Sequence, residues 1–211
     1  MLDEYCNNRF CQSIAPEERK RLCAICRRET FRCGQAVPPS KVENNVMIVL
    51  DGAFATVKAA DGKMQYLHTA CDIFAHEYLF NDKHIKYSDF GTLQIVRPLA
   101  VAFFQRYRLR ELFMECPTIA RALFMNLSVL DNRKSFFRMM VQLEDAYHAV
   151  IYMLLLLEKR GFEPPPTQSE LAFFTGLNRV TVSRCLTRLF REEQYDSLRQ
   201  YMESVLVEPR D

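Results

Sequence analysis

Residues 167–191, TQSELAFFTGLNRVTVSRCLTRLFR, constrain this chain more tightly than any other stretch. Thr167-Gln168-Ser169-Glu170 reads as a capping box, with Thr167 capping a helix and Glu170 reaching back from its third position. A helix of about eight residues follows, in which Leu171, Ala172 and Phe174 are available for packing. Gly176 breaks it, and Asn178 is a good N-cap for the next helix. That second helix carries four arginines and no acid. On a helical wheel Val182, Cys185, Leu186 and Leu189 share one face, while Val180, Ser183, Arg184, Thr187 and Arg191 share the other. Ala172 lets the two helices approach, Gly176 allows the turn, and Val182 fills the gap between them. These spacings make a helix-turn-helix.

A helix of this kind lies in a DNA major groove with its N-terminal residues on base edges. Arg184 is the candidate for a bidentate contact to guanine, and Val180 for packing on a thymine methyl. Ser183 can bond a base or a phosphate. Arg179, Thr187, Arg188 and Arg191 are expected on phosphates, where they position the protein without reading sequence. The alternative is a solvated basic helix face. Further on, SVLVEP and QYDSL are candidate strands of a wing hairpin.

Bulk properties neither require nor forbid this. Net charge is only +2, so any basic site must be local. Hydrophobic residues make up 49% and charged residues 26%, the ordinary soluble range. The longest apolar run, Ala149 to Leu157, has nine residues and is too short to span a bilayer. The opening MLDEYCNNRF has acids and no apolar core of a secretory signal, so a cytoplasmic protein with no membrane partner is expected. At 211 residues the chain is long enough for one large domain or two small ones.

Residues 16–28 read as a short helix with Leu22, Cys23 and Cys26 on one face. From Phe31 to about Val101, short apolar stretches (VMIVL, FATV, QYLH, TLQIV) alternate with turn signals, clearest at Asp51-Gly52 and Asp61-Gly62. They predict a sandwich or small barrel. From Pro117 to about Val141, Leu123, Leu127, Leu130, Phe137 and Val141 form a helical stripe that pairs with a copy of itself, packs on its own barrel, or does both. Residues 144–159 are apolar nearly all round, as in a helix buried between elements. Gly161 stops that helix, and Glu163 to Pro166 mark a domain junction.

A barrel, a long helix and then TQSELAFFTGLNRVTVSRCLTRLFRE resembles the Crp/Fnr superfamily of bacterial transcription regulators, over nearly the whole chain. FRCGQAV resembles the strand that opens the family's barrel, VMIVLDGAFATV its hairpin, and MECPTIARALFMNLS the entry to its dimerisation helix. The resemblance implies an α+β fold: an N-terminal effector-sensing jelly-roll barrel (1–116), a dimerisation helix (117–142) and a C-terminal winged helix (143–211). It also implies a homodimer, a palindromic promoter site on double-stranded DNA, contact with RNA polymerase and a small-molecule effector.

Two departures matter. Cyclic-nucleotide members carry a Gly-Glu pair and a phosphate-binding arginine. Here Glu77 stands in the acidic position with no glycine before it, the arginine is missing, and Asp89 lies near its place, where a carboxylate repels phosphate. An effector other than cyclic AMP is therefore expected. Phe74, Phe80, Tyr87 and Phe90, with Glu77, either line an apolar or aromatic-ligand pocket or fill the barrel core. The second departure is Val180, where many members place a glutamate that accepts from cytosine, so the half-site should differ from theirs. VTVSR is similar to the version in family regulators of anaerobic halorespiration, which points to aromatic effectors.

The eight cysteines are Cys6, Cys11, Cys23, Cys26, Cys33, Cys71, Cys116 and Cys185. Without an export signal they are expected as reduced thiols, several of them buried, with no cofactor. Cys23-x₂-Cys26 with Cys33 resembles the cluster ligands of the family's oxygen-sensing branch, although LAVAFF holds no fourth cysteine. An iron–sulfur cluster or metal on these three is the alternative, as is thiol redox sensing through Cys6 or Cys11. Cys185 reads as helix core. His68, His76 and His84 do not form the His-x-His pair of a metal-binding cupin enzyme. No Gly-rich phosphate loop is present, and no nucleophile stands at a recognisable spacing from a base, so an enzyme is not expected.

Overall fold

The computed structural model describes residues 9–58, 60, 62–79, 91–142, 145–191 and 200. The expected wing strands, Asp61, Asp89, Phe80, Tyr87, Phe90, His84 and Cys6 lie outside them, and so do the side chains of Phe137 and Val141. The chain divides into two compact units, Met1–Asn132 and Arg133–Asp211.

The first unit opens with α1 (Arg9–Gln12) and α2 (Pro16–Ala24), followed by β1 (Cys26–Phe31) and α3 (Pro39–Glu43). Next come β2 (Asn45–Val57), β3 (Met64–Thr69), β4 (Ile73–Phe74), a 3₁₀ turn (His76–Tyr78) and β5 (Thr92–Gln105). Then follow α4 (Arg106–Glu115) and α5 (Pro117–Gln142), the last ten residues of which are assigned to the second unit. All strand pairings are antiparallel, in the order β1-β5-β2-β3 with β4 also on β2. The architecture is α+β, as expected.

β2 explains the sheet. Its apolar run VMIVL is continuous because both of its faces are buried, unlike a half-solvated strand. Val46 and Ile48 join an outer core with Phe10, Leu22, Phe104, Leu109, Ile119 and Leu123. Met47 and Val49 join an inner core with Phe31, Phe54, Phe74, Leu99 and Phe103. The period of two along the strand thus feeds two cores at once.

Asp51-Gly52 is not a hairpin turn. It lies inside one 13-residue strand, where the register against β5 shifts between Val49 and Asp51 and again near Ala53. Gly52 has φ +79°, and a Cβ there would come within 1.9 Å of the Pro98 carbonyl oxygen. Glycine is needed because the two strands close on each other at the bulge. TLQIV likewise belongs to a single 14-residue strand that runs on to Gln105. The first helix ends at Ala24, short of the expected 28, because Cys26 enters the ladder opposite Phe104. FRCGQAV is therefore not the opening strand: the strand ends at its first residue, Phe31, and only Ala36 makes an isolated bridge, to Gln94.

α5 starts where the sequence predicts. Ile119, Ala122 and Leu123 face the outer core, while Phe124 and Met125 remain exposed at 66% and 46%. Its N-terminus is capped by α2. The Glu18 carboxylate accepts from the Thr118 and Ile119 amides at 2.9 and 3.1 Å and from the Thr118 hydroxyl at 2.5 Å. The Thr118 hydroxyl accepts in turn from the Ala15 amide at 3.0 Å, and Arg21 pairs with Glu115 and donates to the Cys116 sulfur. Orphan amides at a helix start are satisfied by an acceptor from another element, and its charge suits the helix dipole.

The second unit holds α6 (Ala146–Lys159), α7 (Gln168–Thr175) and α8 (Arg179–Arg191), packed on one another. α6 begins at Ala146 and not at 144, because Asp145 is extended and its side chain accepts from the Tyr147 amide at 2.9 Å. Its nearly all-round burial matches its composition. It ends in a Schellman motif, in which the Gly161 and Phe162 amides bond the Glu158 and Leu157 carbonyls. Among the described residues no helix is long and apolar enough to cross a membrane.

The clasp on α5 makes a pH-dependent prediction. The Thr118 hydroxyl first, and then the Ile119 and Thr118 amides, hold the Glu18 carboxyl below the ordinary glutamate range. A depressed folded value stabilises above the unfolded pKa, about 4.3, and loses that effect as pH falls through the folded value. Glu18→Gln should lower the thermal midpoint at neutral pH. The gap from wild type should close on acidification, as read by calorimetry across a pH series; a gap independent of pH would leave the charge without a role.

Candidate nucleic-acid interface

The helix-turn-helix is built as its sequence predicts. The Thr167 hydroxyl accepts from the Glu170 amide at 3.2 Å, and the Glu170 carboxylate accepts from the Thr167 amide at 2.8 Å. Both halves of the capping box are present, and α7 is eight residues long. Gly176 closes it with φ +71°, a left-handed conformation that a Cβ disfavours. The Asn178 side chain accepts from the Thr181 amide at 2.8 Å and so caps α8. The Thr167, Glu170 and Asn178 side chains satisfy amides that two short helices would otherwise leave to water.

Two faces then separate on α8. Val182, Cys185 and Leu189 are buried, and Leu186 is half-buried. On α7, Leu171 and Phe174 are buried, and the Phe174 ring meets Phe162 edge-on at 5.9 Å. Ala172 is half-buried. Burial pushes the Cys185 thiol up, and the nearby Asp145 carboxylate adds to this, so the sulfur acts as a small apolar core group.

The other face is open. Arg179, Val180, Arg184, Thr187, Arg188 and Arg191 are exposed and Ser183 is half-buried. Val180 is 61% exposed, with no core for its methyls to join. Ser183, Arg184, Thr187, Arg188 and Arg191 line one groove of about 370 Å³. The Thr187 hydroxyl donates to the Ser183 carbonyl at 2.9 Å, which ties it to the helix and leaves its oxygen lone pairs facing out. Five of the seven expected DNA-facing residues thus share one concave surface, and Arg179 and Val180 stand at its N-terminal end.

Two contributors escaped the sequence reading. The Arg188 guanidinium sits 4.3 Å from the centre of the Tyr147 ring on α6, a cation–π stack that holds the arginine toward the groove. Nothing in the sequence pairs positions so far apart. Asp145 was more legible, since an aspartate directly before an apolar helix is an N-cap signal. Its carboxylate also lies 2.6 Å from His148 Nδ1. Burial opposes its ionisation, but the Tyr147 amide and His148 outweigh this and hold it below the ordinary aspartate range.

The remaining site residues fall in the first unit. Phe74 is 5% exposed inside the inner core, edge-on to Phe54 at 5.3 Å, while Glu77 is half-exposed, 3.6 Å from His76. The other three residues named with them, Phe80, Tyr87 and Phe90, lie outside the described residues. His68 is buried in the same aromatic cluster, stacked on Phe54 at 4.6 Å. Cys23 and Cys26 line one small apolar cavity with Cys11 on the outer side of the sheet. Cys33 is exposed elsewhere, its sulfur 3.5 Å from the Val96 carbonyl. Among the described residues no three His, Cys, Asp or Glu side chains are grouped to hold a metal ion.

No protein-family model matches the chain, and no curated protein matches it in sequence. Its fold, in contrast, is that of solved regulators. The c-di-GMP-responsive global regulator CLP of Xanthomonas campestris is similar at TM-score 0.64 and 17% identity, over 85% of this chain and 93% of that one. FixK2 of Bradyrhizobium japonicum is similar at TM-score 0.63 and 18% identity, over 80% and 86%. A protein from Eubacterium rectale, described as a transcriptional regulator of the Crp/Fnr family, is similar at TM-score 0.58 and 12% identity, over 87% of each chain.

The two caps can be tested directly. Thr167→Ala and Asn178→Ala should each destabilise the helix-turn-helix by about 1 kcal/mol, measured by urea unfolding. Replacement of either residue by glycine should cost only a few tenths.

Proposed function

We propose that this chain, whose architecture is of the Crp/Fnr type, is a DNA-binding transcription regulator that grips promoter DNA through α8. The observation that carries the reading is the division of that helix. Its apolar residues pack on α6 and α7, while Arg184, Arg188 and Arg191 line a single groove and Arg179 and the exposed Val180 stand at the helix start. A basic, acid-free helix face on a capped helix-turn-helix matches the phosphate-lined major groove in charge and shape. Arg184 reads guanine, Val180 packs on a thymine methyl, and Ser183 bonds a base or a phosphate. Arg179, Thr187, Arg188 and Arg191 clamp phosphates. The protein acts as a homodimer on a palindromic site, with RNA polymerase as its further partner. The exposure of Phe124 and Met125 on α5, next to the buried Leu123, supports pairing along that helix.

The effector is a small molecule other than cyclic AMP. Two features support this: the phosphate-binding arginine is missing from the sequence, and the inner core is aromatic, with Phe31, Phe54, Phe74 and Phe103 beside His68. The effector acts by population shift, favouring the arrangement in which two α8 helices meet half-sites one helical turn apart.

A second reading places control on thiols, and one observation favours it. Cys11, Cys23 and Cys26 surround a single cavity beneath α2, the helix that caps α5. Oxidation there would disturb the seat of that helix. Treatment with peroxide should then change DNA affinity, and Cys23→Ser with Cys26→Ser should abolish the response. DNA binding indifferent to oxidant would remove this reading.

The primary reading is tested by gel shift on promoter DNA. Arg184→Ala should lose about 1–3 kcal/mol of specific binding and relax the sequence preference, while Arg191→Ala should weaken all sequences alike and reduce the salt slope by about 1. Tyr147→Leu, which removes the ring under Arg188, should resemble Arg191→Ala more than Arg184→Ala. Undiminished sequence-specific binding by Arg184→Ala would overturn its assignment.

A further inference from the structure

We infer that a cleft in the first unit, at the corner where β1, β5 and α4 meet, binds phosphate, either as the free ion or as the monoester of a small molecule. The cleft encloses about 290 Å³. One of its lining residues, Phe103, also belongs to the aromatic inner core, but no role proposed above uses the charged side chains of the cleft.

Charge is the first argument. Arg27 on β1, Lys41 on α3 and Arg108 on α4 line the cleft, and Glu29 is the one carboxylate there. Three cations and one anion leave a net charge of +2. Glu29, only 16% exposed, pairs with Lys41 and lies 3.2 Å from Arg27 Nε. It orders the two cations on the cleft wall without cancelling the excess. A phosphate dianion matches that excess, and guanidinium groups suit its oxygens.

The backbone adds a second argument. Register places Asn45 opposite Gln105 at the end of the β2–β5 ladder, so both amide side chains reach the cleft. The Arg106 amide bonds the Asn44 carbonyl at 3.1 Å, which seats the start of α4 over the same corner. Gln105, the N-cap of that ten-residue helix, makes no side-chain cap, and no acid lies in its first turn. Helices normally receive an acceptor there, and an anion supplies one. Ala24, Ile25 and Phe103 give the cleft an apolar side, against which the organic part of a monoester can rest. A phosphate ion alone does not fill the space.

The test is calorimetric titration of the full-length protein with inorganic phosphate and, separately, with glycerol 3-phosphate. Saturable binding is expected with a dissociation constant on the order of 1 mM or tighter. Arg27→Gln and Arg108→Gln should each weaken it roughly ten-fold, about 1.4 kcal/mol, while thermal unfolding stays unchanged because both side chains are exposed. Arg184→Gln on α8 should leave it intact. A monoester bound tighter than the free ion would assign the cleft to a phosphorylated metabolite, and equal affinities to phosphate itself. Absence of saturable binding by either probe would overturn the proposal, as would equal loss in Arg184→Gln. So would a poly-glutamate peptide that binds through Arg27 and Arg108 when neither phosphate probe does, since the cleft would then belong to an acidic protein segment.

Discussion

The strand β2, largely buried on both faces and paired with β5, is the constraint from which the rest of the first unit follows. One face of β2 completes the aromatic inner core, and the other receives α1, α2, α4 and α5. Neither core can be changed alone, because successive residues of a single strand serve them in turn. Gly52 fits the same logic. The bulge brings β2 so close to the Pro98 carbonyl that a side chain at that position is excluded. The two cationic features, the cleft and the groove, then sit on rigid supports rather than on long loops.

The second unit solves a different problem. Short helices are marginal on their own, and their stability comes from caps and from one packed face. α7 and α8 use a capping box, a left-handed glycine and an asparagine cap, all within a few residues. This frees the outer face of α8 from any structural duty. Arg188 is the partial exception, since its guanidinium is stacked on Tyr147. A stacked arginine loses less freedom on meeting a phosphate than a waving one, so the ring prepares the contact without making it.

What was legible in the sequence was what is decided locally. Thr167, Glu170 and Asn178 act on amides three residues away, Gly176 acts through its own backbone conformation, and each does what its spacing predicts. The two faces of α8 and the start of α5 were legible for the same reason. What failed was decided at a distance. Asp51-Gly52 has the local signature of a tight turn, but strand pairing carries the chain straight through it. Cys26 continues a helical pattern, yet its partner is Phe104 on β5. Phe74 and Glu77 are close in sequence, but a positive φ at Ala75 turns the chain between them, and they part to core and surface. The phosphate cleft draws its cations from three separate elements, and no window of sequence contains it.

The cap on α5 has a consequence for how the chain is made. Its acceptor, Glu18, stands 100 residues before the amide it satisfies. During vectorial synthesis α2 leaves the ribosome long before the helix it will cap. Its partners in the outer core, on β5, α4 and α5, emerge late as well. Contacts of such sequence separation form slowly, because the intervening chain must first be ordered. The N-terminal helices are therefore made well before their partners and are among the last elements of the first unit to find their place.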